Sequence, residues 1–190
     1  MPRAGLSTRI VIQDAACLAD EVGLDRLTLA TVAQRLGVAL PSLYKHVRGL
    51  DALRQGVSAL ATAELAEVLA TAATGRARTD AVVALADAYR DYARRHPGRY
   101  LASQQVPDSG DPAHVAAGER AVGTITAVLA GYSLSGSDAI DATRALRSAL
   151  HGFLVLEQAG GFGLPVDIDH SYGQLVRALD IAFQNWPNRH

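Results

Sequence analysis

Residues 27–53 read LTLATVAQRLGVALPSLYKHVRGLDAL, a pattern typical of two short helices joined by a glycine turn. Thr28 is a suitable N-cap for a helix from Leu29 to Leu36. Gly37 follows that helix and can adopt the left-handed backbone conformation that ends it. A third helix is predicted from about Leu40 to His46.

Apolar residues occupy the positions that two such helices must bury where they cross. Ala33 lies four residues before Gly37, where a small side chain lets the helices approach closely. The other apolar positions are Val32, Leu36, Val38, Leu43 and Val47. Together they have the spacing of a helix-turn-helix, whose second helix is free to enter the major groove of DNA.

Helical patterns continue on both sides of this segment. A first helix is predicted from near Ser7 to Gly23, and a long fourth helix from Asp51 to about Ala73. Five more are predicted from a cap at Thr79 to Pro97, from Pro97 to Gln105, from Pro112 to Gly131, from a cap at Ser137 to about Ala159, and from about Asp169 to Gln184. The sequence therefore predicts an all-α fold of about nine helices, with a three-helix N-terminal domain at residues 1–50 and a helical C-terminal domain at residues 51–190.

Composition and charge narrow the class of protein. Apolar residues make up 49% of the chain, which is enough for an ordinary buried core. The net charge is −1, but residues 1–50 carry six basic and four acidic side chains, which permits DNA contact there without establishing it. No signal peptide is recognised, no apolar run approaches the roughly 20 residues of a membrane span, and the single cysteine, Cys17, cannot form an internal disulfide. A cytoplasmic protein is expected.

Signals for catalysis are weak. The six histidines (His46, His96, His114, His151, His170 and His190) show neither His-x-x-x-His nor Glu-x-x-His spacing, so no metal site is predicted. Residues 160–163 lack the Lys-Ser/Thr of a phosphate-binding loop, and Glu157 and His151 are too loosely spaced for an acid–base pair. No cofactor and no enzymatic activity are expected; a helical-bundle enzyme is the competing class.

The segment Leu27–Leu53 resembles the TetR family of repressors. In that family a Thr opens the second helix, Gly-Val forms the turn and Leu-Tyr-x-His-Val closes the recognition helix, as Thr28, residues 37–38 and residues 43–47 do here. Residues 146–167, LRSALHGFLVLEQAGGFGLPVD, are similar to a C-terminal subgroup with a His-Gly pair in the eighth helix, with Arg147 where that subgroup often has Trp. The resemblance covers essentially the whole chain and implies a dimeric, ligand-responsive transcription repressor.

Two positions depart from the family in the DNA-binding half. Ala39 replaces the usual Ser or Thr that caps the recognition helix, a loss that typically costs about 1 kcal/mol. Leu50 stands where many members carry Lys, so the phosphate contact is expected from Arg48 instead.

The predicted DNA contacts lie on the second and third helices and just after them. They are Thr28, Leu40, Pro41, Ser42, Tyr44, Lys45, His46 and Arg48. Hydroxyl and basic side chains suit phosphate oxygens, whereas the residues that begin the recognition helix approach base edges. Tyr44 and His46 can instead pack the small domain, and Arg35 is expected to be a solvated charge.

A homodimer on double-stranded operator DNA is expected, because one such helix reads only a few base pairs and a specific site normally needs two of them. The family pairs its last two helices into a four-helix bundle. The predicted interface consists of Ile140, Leu146, Leu150, Phe153, Leu154, Leu175, Leu179 and Phe183. The alternative is that these stripes are buried within one chain.

The resemblance also implies an effector pocket enclosed by the fourth to eighth helices. The predicted lining residues are Leu60, Tyr89, Tyr92, Tyr100, Leu101, His151 and Val155, which suit a small, largely apolar effector. Effector binding would change the spacing of the two DNA-reading units and release the operator. Each of these residues can instead be ordinary core, and a DNA-binding regulator without an effector is the alternative function.

Overall fold

The computed structural model describes residues 5–187, which form nine α-helices, one short 3-10 helix and no strand. The α-helices are α1 (Thr8–Val22), α2 (Leu29–Leu36), α3 (Leu40–Leu43), α4 (Leu50–Ala73), α5 (Arg78–Arg95), α6 (Pro97–Ser103), α7 (Pro112–Ala130), α8 (Gly136–Gln158) and α9 (Ile168–Gln184). The 3-10 helix, Leu24–Arg26, joins α1 to α2. The predicted all-α fold is confirmed over this part of the chain.

Helix α4 begins at Leu50, one residue before the predicted Asp51, and two predicted caps do not cap their helices. Helix α5 begins at Arg78, so Thr79 is not its cap; the Thr79 hydroxyl donates instead to the buried carboxylate of Asp180 at 3.0 Å. The cap position of α8 is Ser135 rather than Ser137. The sequence could not reveal this role of Thr79, because its partner Asp180 lies 101 residues away along the chain.

The chain divides into two compact units. Unit 1 comprises the residues up to Leu65 together with Arg95–Gly118, and unit 2 comprises Ala66–Arg94 together with the residues from Glu119 onward. This grouping differs from the predicted division at residue 50, because the first half of α4 and all of α6 pack with α1, α2 and α3. The functional division at residue 50 stays a prediction.

The core of unit 1 joins the helix-turn-helix to α4 and α6. Its fully buried members include Val11 and Ala15 on α1, Leu43 on α3, and Leu53 and Val57 on α4. Ala102 on α6 completes the same cluster. Burying such side chains stabilises the unit by about 25 cal/mol for each Å² of apolar surface removed from water.

Polar contacts fix α6 to α1 and to α4. Asp20 on α1 accepts the backbone N–H of Arg99 at 2.9 Å, and its other carboxylate oxygen lies 3.1 Å from the Arg99 guanidinium. The same guanidinium pairs with Glu64 on α4 at 3.3 Å. The Ser58 hydroxyl, also on α4, donates to the carbonyl of Ala102 at 2.8 Å. Helix α6 is therefore held by both neighbours.

Helix α4 is long and apolar enough to cross a membrane by length and composition, with a mean hydropathy of 1.3 over its best window. Length and composition alone do not identify a membrane span, so the expectation that the chain contains none stays a prediction. A core helix of a soluble protein passes the same test, and Leu53, Val57, Ala61 and Leu69 are buried against protein. The apolar composition of α4 is explained by this packing.

Unit 2 is held together by an apolar core and by two buried polar networks. The core includes Leu85, Leu129, Leu146 and Leu150. In one network Asp180 on α9 accepts hydrogen bonds from Thr79, from Gln184 at 2.8 Å and from the Tyr132 hydroxyl. Burial, together with the Asp180 carboxylate, raises the pKa of Tyr132, which keeps this hydroxyl a donor.

The second network centres on Arg90 of α5, which is 7% exposed. Its guanidinium pairs with Glu157 of α8 at 2.5 Å and with Asp169 of α9 at 2.8 Å, and it lies 4.4 Å from the ring centre of Tyr172. Arg94 pairs with the same two carboxylates. Burial would raise the pKa of Glu157, but hydrogen bonds from Arg90 and Arg94 outweigh it and hold that pKa below its ordinary value.

Candidate nucleic-acid interface

The turn between α2 and α3 has the geometry that the sequence predicts. Gly37 has φ +66°, a left-handed conformation that favours glycine because a Cβ is strained there. Its N–H and that of Val38 close the end of α2 on the carbonyls of Gln34 and Ala33, at 3.1 and 3.0 Å. Ala33 is 4% exposed, so its small side chain lies where the two helices meet.

The start of α2 is fixed by a pair of threonines. The Thr28 hydroxyl accepts the backbone N–H of Thr31 at 3.1 Å, and the Thr31 hydroxyl accepts the backbone N–H of Thr28 at 3.1 Å. This reciprocal capping box confirms the predicted cap and leaves the Thr28 side chain exposed. Thr31 was missed, although the Thr-x-x-Thr spacing is a usable signal.

The recognition helix α3 is shorter than predicted. It ends at Leu43, and residues 44–46 form a turn. Ala39 occupies its cap position without a side-chain hydrogen bond, so the missing cap inferred from the sequence is confirmed. The segment is held by apolar packing instead, because Leu43 and Val47 are buried in the core of unit 1.

The side chains predicted to contact DNA lie outside this buried support. Thr28, Leu40, Pro41, Tyr44, Lys45 and Arg48 are exposed, and Ser42 and His46 are half-buried. The Tyr44 side chain is 57% exposed, which argues against the alternative that it packs the small domain. Thr28 therefore lies at the start of α2, and the other seven predicted residues lie on α3 or within five residues after its end.

The turn after α3 is tied to the first helix. The Thr8 hydroxyl, at the start of α1, donates to the carbonyl of His46 at 3.1 Å. Leu6 packs against the unit 1 core just before it. The end of the recognition segment is thus held by a residue that sequence reasoning did not single out; no local signal reveals a contact across 38 positions.

Arg35 is not the solvated charge that the sequence suggests. Its guanidinium pairs with Asp14 at 3.1 Å and with Glu21 at 2.6 Å, both on α1. Hydrogen bonds from the guanidinium, first to Glu21 and then to Asp14, raise the pKa of Arg35 above its ordinary value. These pairs neutralise two carboxylates of unit 1 and hold α2 against α1.

The residues predicted to line an effector pocket divide between the two units. Leu60, Tyr100 and Leu101 belong to unit 1, whereas Tyr89, Tyr92, His151 and Val155 belong to unit 2. The three tyrosines are buried, but Leu101 and Val155 are 41% and 38% exposed. Three grooves of about 300, 330 and 350 Å³ in unit 2 are lined by other residues. A single pocket formed by the seven residues stays a prediction.

Half of the predicted dimer interface is core. Leu146, Leu150, Leu154 and Phe183 are at most 1% exposed within the chain, so they have no surface to offer a partner. This corrects their assignment. Phe153, Leu175 and Leu179 are half-buried, and Ile140 is 50% exposed.

The exposed stripe of α8 lies on the opposite side of that helix. It consists of Ile140, Arg144, Ser148, Gly152 and Leu156, spaced four residues apart. On α9 the exposed residues include Ala178, Ile181 and Ala182. Small side chains lie between the exposed apolar ones of this stripe, a pattern that allows another helix to approach closely.

A family model and two curated transcription regulators are similar to this chain in sequence. A family model described as "Tetracyclin repressor-like, C-terminal domain" matches residues 82–179. An uncharacterized HTH-type transcriptional regulator of Mycobacterium tuberculosis is 40% identical over 93% of this chain and 81% of its own length. The uncharacterized HTH-type transcriptional regulator YobS of Bacillus subtilis is 35% identical over 94% and 93%.

Among solved structures, a TetR variant from Acinetobacter baumannii in complex with minocycline is similar in fold. The TM-score is 0.73, with 24% identity over 97% of this chain and 100% of that one.

Proposed function

The chain belongs to the TetR family of transcription regulators, and we propose that it is a homodimeric, cytoplasmic repressor that leaves a palindromic operator when a small, largely apolar effector binds. The observation that carries the proposal is the recognition segment. Leu43 and Val47 anchor it in the core, while Leu40, Tyr44 and Lys45 lie exposed beside them. A buried support with an exposed polar and basic face is what DNA reading requires.

Each exposed side chain suits one part of the duplex. Lys45 and Arg48 attract phosphates, and the hydroxyls of Thr28 and Tyr44 can hydrogen-bond to phosphate oxygens. Leu40 at the start of α3 can pack on a thymine methyl group. Phosphate contacts position the protein, whereas the base contacts of α3 provide the sequence preference.

Dimerisation is supported by the surface of α8 and α9. The exposed stripe defined above ends at Leu156, which is 50% exposed, and Ile181 on α9 is 54% exposed. Gly152 and Ser148 between the apolar residues permit close helix approach. A two-fold pairing through this stripe would give one assembly two recognition segments, as an operator of two half-sites requires.

Effector release rests on the family and on the buried tyrosines. The related Acinetobacter protein was solved with minocycline, so members of this fold hold small molecules. In unit 2 the buried Tyr89 and Tyr92 combine an apolar ring with one polar group, the composition expected of a ligand pocket. We propose that the effector contacts one or both of them and shifts the population toward a DNA-incompetent dimer.

The test begins with a duplex selected from a random pool by the purified protein. Fluorescence anisotropy on that duplex should show that Tyr44→Ala and Lys45→Ala weaken binding by about tenfold or more, the size of a lost phosphate or base contact. The matched control is Arg120→Ala, which removes an exposed charge from α7. Unchanged affinity in both variants would overturn the assigned site.

Two further measurements separate the finer parts of the proposal. Sedimentation equilibrium should give a dimer, and Leu156→Glu should shift it toward monomer. Small molecules screened on the protein–duplex complex should include compounds that release it. A dimer that binds its operator but responds to no compound would favour the alternative, a regulator without an effector.

A further inference from the structure

Arg9 lies where α1 meets the recognition segment. It follows Thr8, whose hydroxyl donates to the His46 carbonyl at 3.1 Å. Ser7 caps the helix by accepting the N–H of Ile10 at 3.3 Å, so the first turn of α1 is fixed on both sides of Thr8. Arg9 therefore directly follows the residue that bonds α1 to the segment proposed to read DNA.

The Arg9 side chain is exposed and has no acidic partner among the residues that the structure describes. Other arginines of unit 1 differ. Arg35 pairs with two carboxylates of α1, and Arg99 pairs with Asp20 and Glu64. Arg35 thus pairs with two of the acidic side chains of α1, Asp14 and Glu21, whereas Arg9 stays exposed.

Two more exposed cations lie on the turn that Thr8 holds. Lys45 precedes His46 and Arg48 follows it by two residues; within the described chain neither forms an ion pair. Arg9, Lys45 and Arg48 thus make a basic edge beside the recognition segment. Such cations, which come from two separate elements and form no ion pair within the described residues, suit consecutive phosphates of one DNA strand.

We propose that Arg9 binds a backbone phosphate of the operator, next to the phosphates contacted by Lys45 and Arg48. The inference rests on the proposed DNA-binding function and adds a contact from α1 to it. A phosphate contact of this kind carries no sequence preference.

The test is the salt dependence of duplex binding by Arg9→Ala. Each lost phosphate contact makes the slope of log K against log salt less negative by about 0.9. A dimer that loses one contact in each subunit should therefore have a slope less negative by about 1.8. The affinity should fall to a similar degree on the selected duplex and on a duplex of unrelated sequence. Arg9→Lys should keep most of the slope, and the matched control Arg120→Ala should keep all of it.

The possible outcomes are distinct. An Arg9→Ala slope equal to that of the wild type would overturn the contact while leaving the DNA-binding function intact. A wild-type protein that binds no duplex would overturn the proposed function itself. Circular dichroism should show an unchanged fold, because the side chain is exposed; if Arg9→Ala fails to fold, Arg9→Gln provides the same measurement.

Discussion

Gly98 lies directly against the carbonyl of Ala19. A Cβ added at Gly98 would come within 2.2 Å of that oxygen and 2.7 Å of the next backbone nitrogen. Both obstacles are backbone atoms, which cannot swing aside as a flexible side chain can. The absence of a side chain at residue 98 is therefore what allows the start of α6 to touch the end of α1.

Gly98→Ala should force α6 away from α1. Overpacking of this kind typically costs about 1–3 kcal/mol, and the displacement would also strain the Arg99–Asp20 contact. Urea unfolding measures the loss. The control is Gly123→Ala on α7, where an added Cβ meets nothing within 4 Å; it should be neutral or stabilising, since alanine favours helix. Equal effects at both sites would contradict the close approach.

Arg90→Ala should destabilise unit 2 strongly. Arg90→Ala leaves the buried carboxylate of Glu157 with only the half-exposed Arg94, at 2.7 Å, so the loss should be about 2–3 kcal/mol, below the full cost of an unpaired buried charge. Arg144→Ala is the comparison, because the Arg144 side chain is 76% exposed and its contact with Asp141 is 3.6 Å. That variant should lose less than about 1 kcal/mol. Thermal unfolding at a fixed protein concentration distinguishes the two.

The same pair should make stability fall in acid. The pKa of Glu157 is lower in the folded chain than the value of about 4.3 expected when unfolded, so its contribution is fully present above that pH. It is lost as the pH falls below about 4 through the folded pKa. Glu157→Gln should therefore be less stable at neutral pH and lose less stability on acidification.

Urea unfolding midpoints of the wild type and of Glu157→Gln, measured between roughly pH 3 and 7, test this pH dependence of stability. Glu119→Gln is the control, since Glu119 is exposed on α7 and forms no ion pair within the described residues. If Glu157→Gln follows the wild-type pH profile, the loss in acid belongs to other carboxylates.

The helix-turn-helix could be predicted because its determinants are local. Gly37 and Ala33 lie four residues apart, and Thr28 caps the helix that contains Ala33. The end of α3 could not be predicted in the same way. Residues 44–46 form a turn tied to Thr8 rather than a further helical turn, and that contact joins positions 38 residues apart.

Half of the predicted dimer interface is buried core, for a different reason. Leu146, Leu150 and Leu154 recur at helical spacing, but so does any stripe that packs a protein's own core. Periodicity identifies an apolar face without saying what covers it. The exposed stripe through Gly152 and Leu156 is weaker in hydrophobicity and could be recognised only once the burial of each residue was known.

Ala39→Ser should stabilise unit 1. Ala39 has φ −70° and ψ 139°, the extended conformation of a cap residue, yet it offers no side-chain acceptor to α3. A cap side chain bonds the second or third N–H of its helix, and Pro41 has no N–H. A serine hydroxyl at residue 39 could therefore accept only the N–H of Ser42, which it would share with the Ala39 carbonyl that already accepts it at 2.8 Å. The gain should be about 0.5–1 kcal/mol, at the lower end of the range for capping.

Urea unfolding of Ala39→Ser and Ala39→Val separates capping from other effects of a larger side chain, because valine cannot accept a hydrogen bond. Only the serine variant should unfold at higher urea. Its affinity for the selected duplex should rise slightly or stay equal, since a capped α3 presents Leu40 and Tyr44 in the same positions with less fraying. If the serine and valine variants unfold at the same urea concentration, the packing of Leu43 and Val47 already holds α3 and a cap adds nothing.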